Sequence, residues 1–399
     1  MASLIFSTLL ALKESTSYLK LFIFGAVEND MRAVFIFILF VLIGTSLFSQ
    51  EEGAKPVSIS AETFYGSIFE HNPEIQHLIT GHPTGFLLSF NNKTYGEKEW
   101  ERRYNYPDWG FSAAYHHSHN KYLGNALGVY GHINWYFFNR HVMFGVGQGV
   151  AYMTNPYDTE TNYYNNAYGS HIMSATYVKG GFVWENLWKG LGVQAGATIY
   201  HYSNANIKAP NNSTNTLVFS VGANYLFDYE AFPEYIEKED PLSRTYAEPI
   251  TLNIEVRSGF NENDVIGSGA KPFTILSLYA DKRINYKSTF QSGVDVFFST
   301  FLKEYIRYRA VAYPEDGITG DEDYKRVGIF VGHEWRFNKV AMITQLGYYV
   351  YWPVAFENQL YNRVGLKRYV WEDALFASVS VKAHWAKAEA VEFGVGYRF

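Results

Sequence analysis

The chain has 399 residues, a formal net charge of −6, no cysteine, and 18% aromatic residues, among them 33 Tyr and 31 Phe. Without cysteine it has no disulfide, lipoprotein anchor or thiolate metal site, and the acidic balance leaves no basic footprint for nucleic acid. Abundant Tyr, Phe and Gly point to a membrane β-barrel with aromatic girdles, with an aromatic-rich soluble β protein as the bland alternative.

A leader is expected within the first 49 residues. Met31-Arg32, the apolar run from Ala33 to Ser49, and Gln50-Glu51-Glu52 behind it read as a secretory signal. A transmembrane helix competes for the same residues, but the run is short for one. Residues 1–30 then read as an upstream extension, and residues 1–49 stand outside the fold.

From Val57 onward, alternating runs predict strands near 57–69, 83–93, 109–119, 123–138, 141–153, 170–186, 190–204 and 214–227. In the fifth, Val142, Phe144, Val146, Val150 and Tyr152 alternate with Gly145, Gly147, Gly149 and Ala151. Each run is near or above the roughly 9–11 residues that a tilted strand needs to cross a bilayer. Eight strands can close as an up-and-down barrel, as membranes require of sheets. The charged stretch 94–108 fits poorly, because it makes a long turn at the end where short ones are expected. His116, His117 and His119 invite a metal reading, but alternation sends His116 opposite to the other two and no clustered carboxylates accompany them. No metal and no cofactor is expected.

The seventh run carries Val193, Ala195, Ala197 and Ile199 on one parity, and His201 and Ser203 continue it. An imidazole and a hydroxyl therefore leave the strand on the same side, as a base and the nucleophile it activates must. In the next run Asn215 shares the parity of Leu217, Phe219 and Val221, so pairing of the two runs sets His201, Ser203 and Asn215 on one apolar wall. With the N-terminus in the periplasm, the seventh strand runs outward and this wall faces lipid near the outer leaflet. The bland reading is that His201 and Ser203 are girdle residues at a strand end.

The longer string His201-x-Ser203-Asn204, then Pro210-Asn211 and a position four residues on, resembles the outer-membrane lipid A 3-O-deacylase (PagL-type) family and the broader acyloxyacyl hydrolases. Pro156-Tyr157-Asp158, Thr161-Asn162, Asn165-Asn166-Ala167 and Gly169-Ser170-His171 resemble the broader group. The likeness covers roughly residues 57–228. It implies a serine esterase acting on lipid A, with Ser203 as nucleophile, His201 as base and Asn215 in the place of the acid. Asn215 departs from the acidic residue of the family pattern, and an amide can orient an imidazole but not neutralise its charge. Asp158 or Glu160 on the neighbouring loop is the alternative source of that charge. Asn204 and Asn211 are candidate oxyanion donors or loop braces.

Residues 229–248, acidic and with two prolines, read as a linker. Strand-like runs resume near 249–261, 270–283, 287–301, 323–337, 339–352, 362–370, 374–384 and 388–399. This half reads as a repeat. Gly131-His132 matches Gly332-His333, Val183-Trp184-Glu185-Asn186 matches Val370-Trp371-Glu372-Asp373, and Tyr225-Leu226-Phe227 matches Tyr397-Arg398-Phe399. His384 then stands in the place of His201, with Ala386 in that of Ser203. His132 and His333 read as interfacial or lumen-facing polar residues. A terminal Phe399 resembles the assembly signal of outer-membrane barrels.

The fold expected is all-β: two tandem eight-stranded transmembrane antiparallel up-and-down β-barrels over 50–228 and 249–399, with one sixteen-stranded barrel as the alternative. The function expected is that of an outer-membrane esterase removing an acyl chain from lipid A, the second barrel being non-catalytic. Its partners are lipopolysaccharide, outer-membrane lipids and the barrel assembly machinery. A non-catalytic pore, adhesin or structural barrel is the competing function.

Overall fold

A computed structural model describes residues 56–230, 233–237, 248–385 and 387–399. The expected leader and extension over 1–49, much of the linker, and Ala386 lie outside these residues. From the first described residue to the C-terminus the chain forms one compact unit.

Eight strands make the first barrel: β1 (Val57–Phe69), β2 (Thr84–Asn92), β3 (Asp108–His117), β4 (Asn125–Phe137), β5 (Val142–Met153), β6 (Ile172–Trp188), β7 (Leu191–Ser203) and β8 (Thr214–Leu226). Each pairs antiparallel with the next, and β8 closes on β1 from Ser58↔Leu226 to Phe69↔Asn215. The second barrel comprises β9 (Thr251–Asn261), β10 (Lys271–Arg283), β11 (Ser288–Ser299), β12 (Lys325–Phe337), β13 (Val340–Tyr351), β14 (Leu360–Trp371), β15 (Leu375–His384) and β16 (Lys387–Arg398). It closes between β16 and β9, with Val395 opposite Val256. Two closed barrels replace the sixteen-stranded alternative. Phe227 N–H donates to Val57 O at 3.0 Å and Phe399 N–H to Leu252 O at 2.9 Å, so each Tyr-x-Phe seals its own barrel.

Alternation dictates the walls. In β1, Ser58, Ser60, Glu62 and Phe64 turn inward while Ile59 and Tyr65 are 44% and 55% exposed. The outer wall continues through Leu88, Val129, Val193, Ile199, Phe219 and Val221, all exposed. A continuous apolar wall of this kind is stable in hydrocarbon and not in water, so the barrels span a bilayer. Among the described residues no helix is long and apolar enough to cross a membrane.

The interiors are filled by side chains, as eight strands require. The first holds an aromatic cluster that includes Phe64, Tyr130, Tyr177, Tyr200 and Tyr202. At its other end Lys93, Asp108, Arg140 and Glu185 are linked, Arg140 Nη2 lying 2.9 Å from Asp108 Oδ2. The second barrel is interlocked by charge: Arg326 with Glu389 at 2.6 Å, Lys367 with Glu334 at 2.7 Å, and Arg363 with Asp295 at 3.0 Å.

Two expectations are corrected, on the 94–108 turn and on the repeat. The stretch 94–107 is no simple turn: it contains a short helix, α1 (Glu99–Arg103), with Glu101 Oε2 accepting the N–H groups of Gly96 and Lys98. The described linker residues 233–237 are exposed, and Tyr235 packs on Tyr95 and Tyr106 with ring centroids 5.1 and 4.7 Å away. Two of the three repeat matches fall on opposite faces. His132 is buried in the lumen, whereas His333 sits on the outer wall beside Phe290 and Trp335. Val183 is buried and Val370 exposed. A one-residue offset in a strand reverses every side chain, so identical short strings are not structural equivalents.

Candidate active site

His201 and Ser203 end β7, and Asn215 enters β8 directly across from His201. Val193 and Ile199 fix their parity, so His201 and Asn215 leave on the outer wall. His201 Nδ1 and Asn215 Oδ1 are 2.7 Å apart. An amide oxygen only accepts, so Nδ1 carries the proton and Nε2 keeps its lone pair, the tautomer a general base needs.

Ser203 is held from the other side. Its Oγ receives Asn211 Nδ2 at 2.9 Å and the Ala205 N–H at 3.0 Å. Asn211 Oδ1 in turn accepts the Asn204 N–H at 2.9 Å, so one side chain ties the nucleophile to the turn that follows it. That turn is tight: Ala205 and Asn206 have φ of 50° and 59°, and Ile207 N–H reaches Asn204 O at 3.2 Å. Asn204 spends its Nδ2 on Lys208 O at 2.6 Å and on Ser170 Oγ at 3.3 Å, which makes it a brace. Among the described residues no hydrogen bond joins His201 to Ser203. The two positions are about 6.6 Å apart along the strand, and catalytic hydrogen bonds are often long before substrate binds.

Loop 154–171 supports the site from below. Asn165 Nδ2 donates to Asn155 O at 2.7 Å and to Tyr122 O at 3.1 Å, and Asn162 Nδ2 bonds three carbonyls. Asn212 and Ser213 N–H groups donate to Asn166 O and Ala167 O at 3.2 and 3.1 Å. Gly169 allows the approach, since a Cβ there would lie 2.5 Å from Lys208 O and 2.6 Å from Pro210 O. The asparagines of this loop are staples.

Among the described residues, neither Asp158 nor Glu160 makes a hydrogen bond or ion pair with His201. Asp158 Oδ1 accepts the Thr161 N–H at 2.8 Å, Thr161 Oγ1 at 2.8 Å and the Glu160 N–H at 3.0 Å. These bonds, the Thr161 N–H foremost, hold its carboxyl below the usual carboxylate range. Glu160 is exposed on the same turn. The carboxylate closes its own loop through Oδ1.

The remaining histidines separate as alternation requires. His116 is buried against Tyr200 and Phe64 at 4.3 and 4.6 Å between centroids, while His117 and His119 bond Asn125 and Thr84 on the outside. His384 is not a counterpart of His201. It turns inward, with Nε2 2.7 Å from Glu389 Oε2.

One feature of the site escaped the sequence analysis. Gln148 of β5 lies opposite Thr176 of β6, Thr176 opposite His201, and His201 opposite Asn215. A polar row thus crosses four strands of an apolar wall, with Thr176 Oγ1 donating to Gln148 Oε1 at 2.6 Å and Gln148 Nε2 to Ser174 Oγ at 3.1 Å. The signal was present, because Gln148 interrupts the outward parity of Phe144, Val146, Val150 and Tyr152.

Residues 84–224 match the family model of lipid A 3-O-deacylase (PagL), and residues 249–399 match that of the acyloxyacyl hydrolase C-terminal domain. No curated protein matches the chain. Among solved structures it is similar to the outer membrane enzyme PagL, at 16% identity over 41% of this chain and 97% of that one, with a TM-score of 0.27. It is also similar to a triple mutant of Rhodopseudomonas blastica porin, at 10% identity over 86% of this chain and 99% of that one, with a TM-score of 0.17. Scores this low carry no weight. The resemblance drawn from the His201–Asn215 string holds, and it reaches the second half, where no such string marks it.

Proposed function

We propose that this chain is an outer-membrane serine esterase that removes an ester-linked acyl chain from lipid A. The observation that carries the reading is the 2.7 Å contact of His201 Nδ1 with Asn215 Oδ1 on the lipid-facing wall, two residues from Ser203. Soluble esterases bring substrate in from water. Here the outward parity of the site suits a substrate that never leaves the bilayer.

Ser203 Oγ attacks the ester carbonyl and passes its proton to His201 Nε2. Once Oγ is bonded to carbon it no longer needs its two donors. The Ala205 N–H and Asn211 Nδ2, 3.0 and 2.9 Å from Oγ, then stand beside the developing oxyanion. Collapse expels the sugar oxygen, which takes the proton from Nε2. Water then attacks the acyl-enzyme, giving its proton to Nε2, and the fatty acid leaves as Ser203 recovers the proton. Asn215 keeps the imidazole in the productive tautomer throughout. The end of the barrel bearing Ser203 faces the outer leaflet in this reading, and the second barrel carries no copy of the chemistry, since its His384 is spent on Glu389.

The test is the full chain in detergent with purified lipid A, read by mass spectrometry for loss of one acyl chain. Ser203→Ala should lower the rate by about 10,000-fold while retaining the heat-modifiable gel mobility of a folded barrel. Undiminished hydrolysis by that variant would remove Ser203 as the nucleophile.

A further inference from the structure

The loop that holds Ser203 is also held by the other barrel. Glu262 follows β9 of the second barrel and is only 4% exposed. Its Oε2 accepts the Ala209 N–H at 2.8 Å, and its own N–H donates to Asn206 O at 2.6 Å. Both partners lie in the 204–211 turn of the first barrel. The other carboxylate oxygen, Oε1, accepts the Gly269 N–H at 2.6 Å and Ser268 Oγ at 3.3 Å. One residue thus joins a loop of the second barrel to the nucleophile's loop through two hydrogen bonds, one from its side chain and one from its backbone, while two more fix its carboxylate within its own loop.

The brace is anchored at both of its ends. Asn261 and Asn263, on either side of Glu262, are 1% and 3% exposed, and Asn261 Nδ2 bonds Glu389 O in the second barrel at 3.3 Å. At the opposite end of the barrels, Tyr104 donates to Arg336 O at 3.1 Å and its ring packs on Phe337 at 4.3 Å. Arg103 lies 3.3 Å over the Tyr286 ring. Contacts at two separated ends fix the barrels against each other, so Glu262 cannot swing away from the turn without breaking them.

Resting on the esterase reading above, the geometry points to Glu262 as a positioning residue for Ser203, supplied by the second barrel. The path is short. Glu262 clamps Asn206 and Ala209, Asn206 Oδ1 accepts Asn211 Nδ2 at 3.1 Å, and Asn211 Nδ2 also reaches Ser203 Oγ at 2.9 Å. Asn211 serves as both brace and oxyanion donor, so its placement decides how well the turn receives charge in the transition state. The second barrel has no catalytic group of its own in this account, yet the site is incomplete without it.

The experiment uses the full chain and three variants: Glu262→Ala, Glu262→Gln, and Asp264→Asn. The last removes a charge from the same loop, where Asp264 pairs with Lys387 in an exposed position. Two readouts are taken, steady-state deacylation of lipid A and amide hydrogen exchange of the 204–211 segment. In Glu262→Ala, exchange at 204–211 should rise by about 10-fold, and kcat should fall by about 10-fold with KM nearly unchanged. Glu262→Gln keeps one acceptor oxygen for the Ala209 N–H and should recover part of both losses. Asp264→Asn should change neither.

Unchanged exchange in Glu262→Ala would overturn the brace. Faster exchange with an unchanged kcat would overturn the positioning role. An effect on KM alone, or an equal effect of Asp264→Asn, would assign the loop to lipid contact or general charge and overturn it as well. A wild-type chain inert on lipid A would overturn the esterase reading and the catalytic half of this one, while the exchange measurement would still decide the brace.

Discussion

The two barrels share a strand count and a topology but differ in where their polar residues gather. In the first, tyrosines fill the lumen at the Ser203 end, and a polar row from Gln148 to Asn215 lies on the outer wall. In the second, six acidic side chains, Glu255, Asp281, Asp295, Glu334, Glu389 and Glu392, are buried among arginines and lysines in the lumen. Parity decides between the two. His201 has the parity of lipid-facing Ile199, whereas His384 has that of Ser378, Ser380 and Lys382, which are buried. The same residue type therefore lies on the outer wall in one barrel and closes an ion-pair network in the other. An eight-stranded barrel needs its lumen filled, and both barrels use rings and paired charge, the first with aromatics gathered at the Ser203 end and the second with the larger buried ion-pair network.

The largest expected effect on this contrast comes from the charged lumen. Arg363 is fully buried and touches Glu392, Asp295 and Gln345. Arg363→Met keeps most of the volume but leaves Asp295 and Glu392 with only Arg257, 3.5 and 4.0 Å away, as counter-charge, a loss that costs about 3–5 kcal/mol. Unfolding of the full chain in detergent should show the second barrel destabilised, with the first barrel's transition close to the wild-type value. Equal stability would mean that the charges add nothing to the lock, and the contrast would be one of composition alone.

Much of this was legible beforehand. All sixteen strands were expected within a few residues of where they lie, because a barrel strand in a membrane must alternate and the alternation is written in the residues. The pairing of His201 with Asn215 was legible for the same reason. The helix α2 (Phe301–Ala312) was missed although Phe301, Leu302, Tyr305 and Ile306 carry a helical period, since its first residue reads as the tail of a strand. Side-chain destinations in loops were not legible. Nothing in the spacing says that Ser203 Oγ turns to Asn211 and Ala205, or that Asp158 closes on Thr161. The Glu262 contact joins residues 53 apart in separate barrels, a distance at which periodicity carries no information.

A smaller effect is expected at Asn215, where the wall itself tolerates change. The residue faces lipid beside Phe69 of β1, so Asn215→Leu should leave the fold intact. It removes the acceptor of His201 Nδ1, freeing the ring to rotate and change tautomer, and the rate should fall about 10-fold or more. Asn215→Glu should hold or raise it, because a carboxylate orients the ring and also stabilises its charged form. An unaffected Asn215→Leu variant would show that another group orients His201.

The smallest effect separates a structural acid from a catalytic one. If Asp158 supplied the charge that Asn215 lacks, Asp158→Asn would depress kcat at every pH where the carboxylate is ionised. The geometry gives another expectation. Its oxygen is occupied by the Thr161 N–H, the Thr161 hydroxyl and the Glu160 N–H, and a neutral amide oxygen still accepts from them, only more weakly. Asp158→Asn should therefore leave deacylation within about 2-fold at neutral pH, where the lost interaction is a loop bond exposed to water. The sign of the pH effect follows from the depressed carboxyl. Stabilisation of the 158–162 turn is present above the ordinary carboxylate range and is lost as pH falls through the lowered folded value. Proteolysis of loop 154–171 should accordingly rise at acid pH in the wild type and differ little with pH in the variant. A neutral-pH drop in kcat that matched the Asn215→Leu loss would return Asp158 to the catalytic group and place the missing charge on the neighbouring loop.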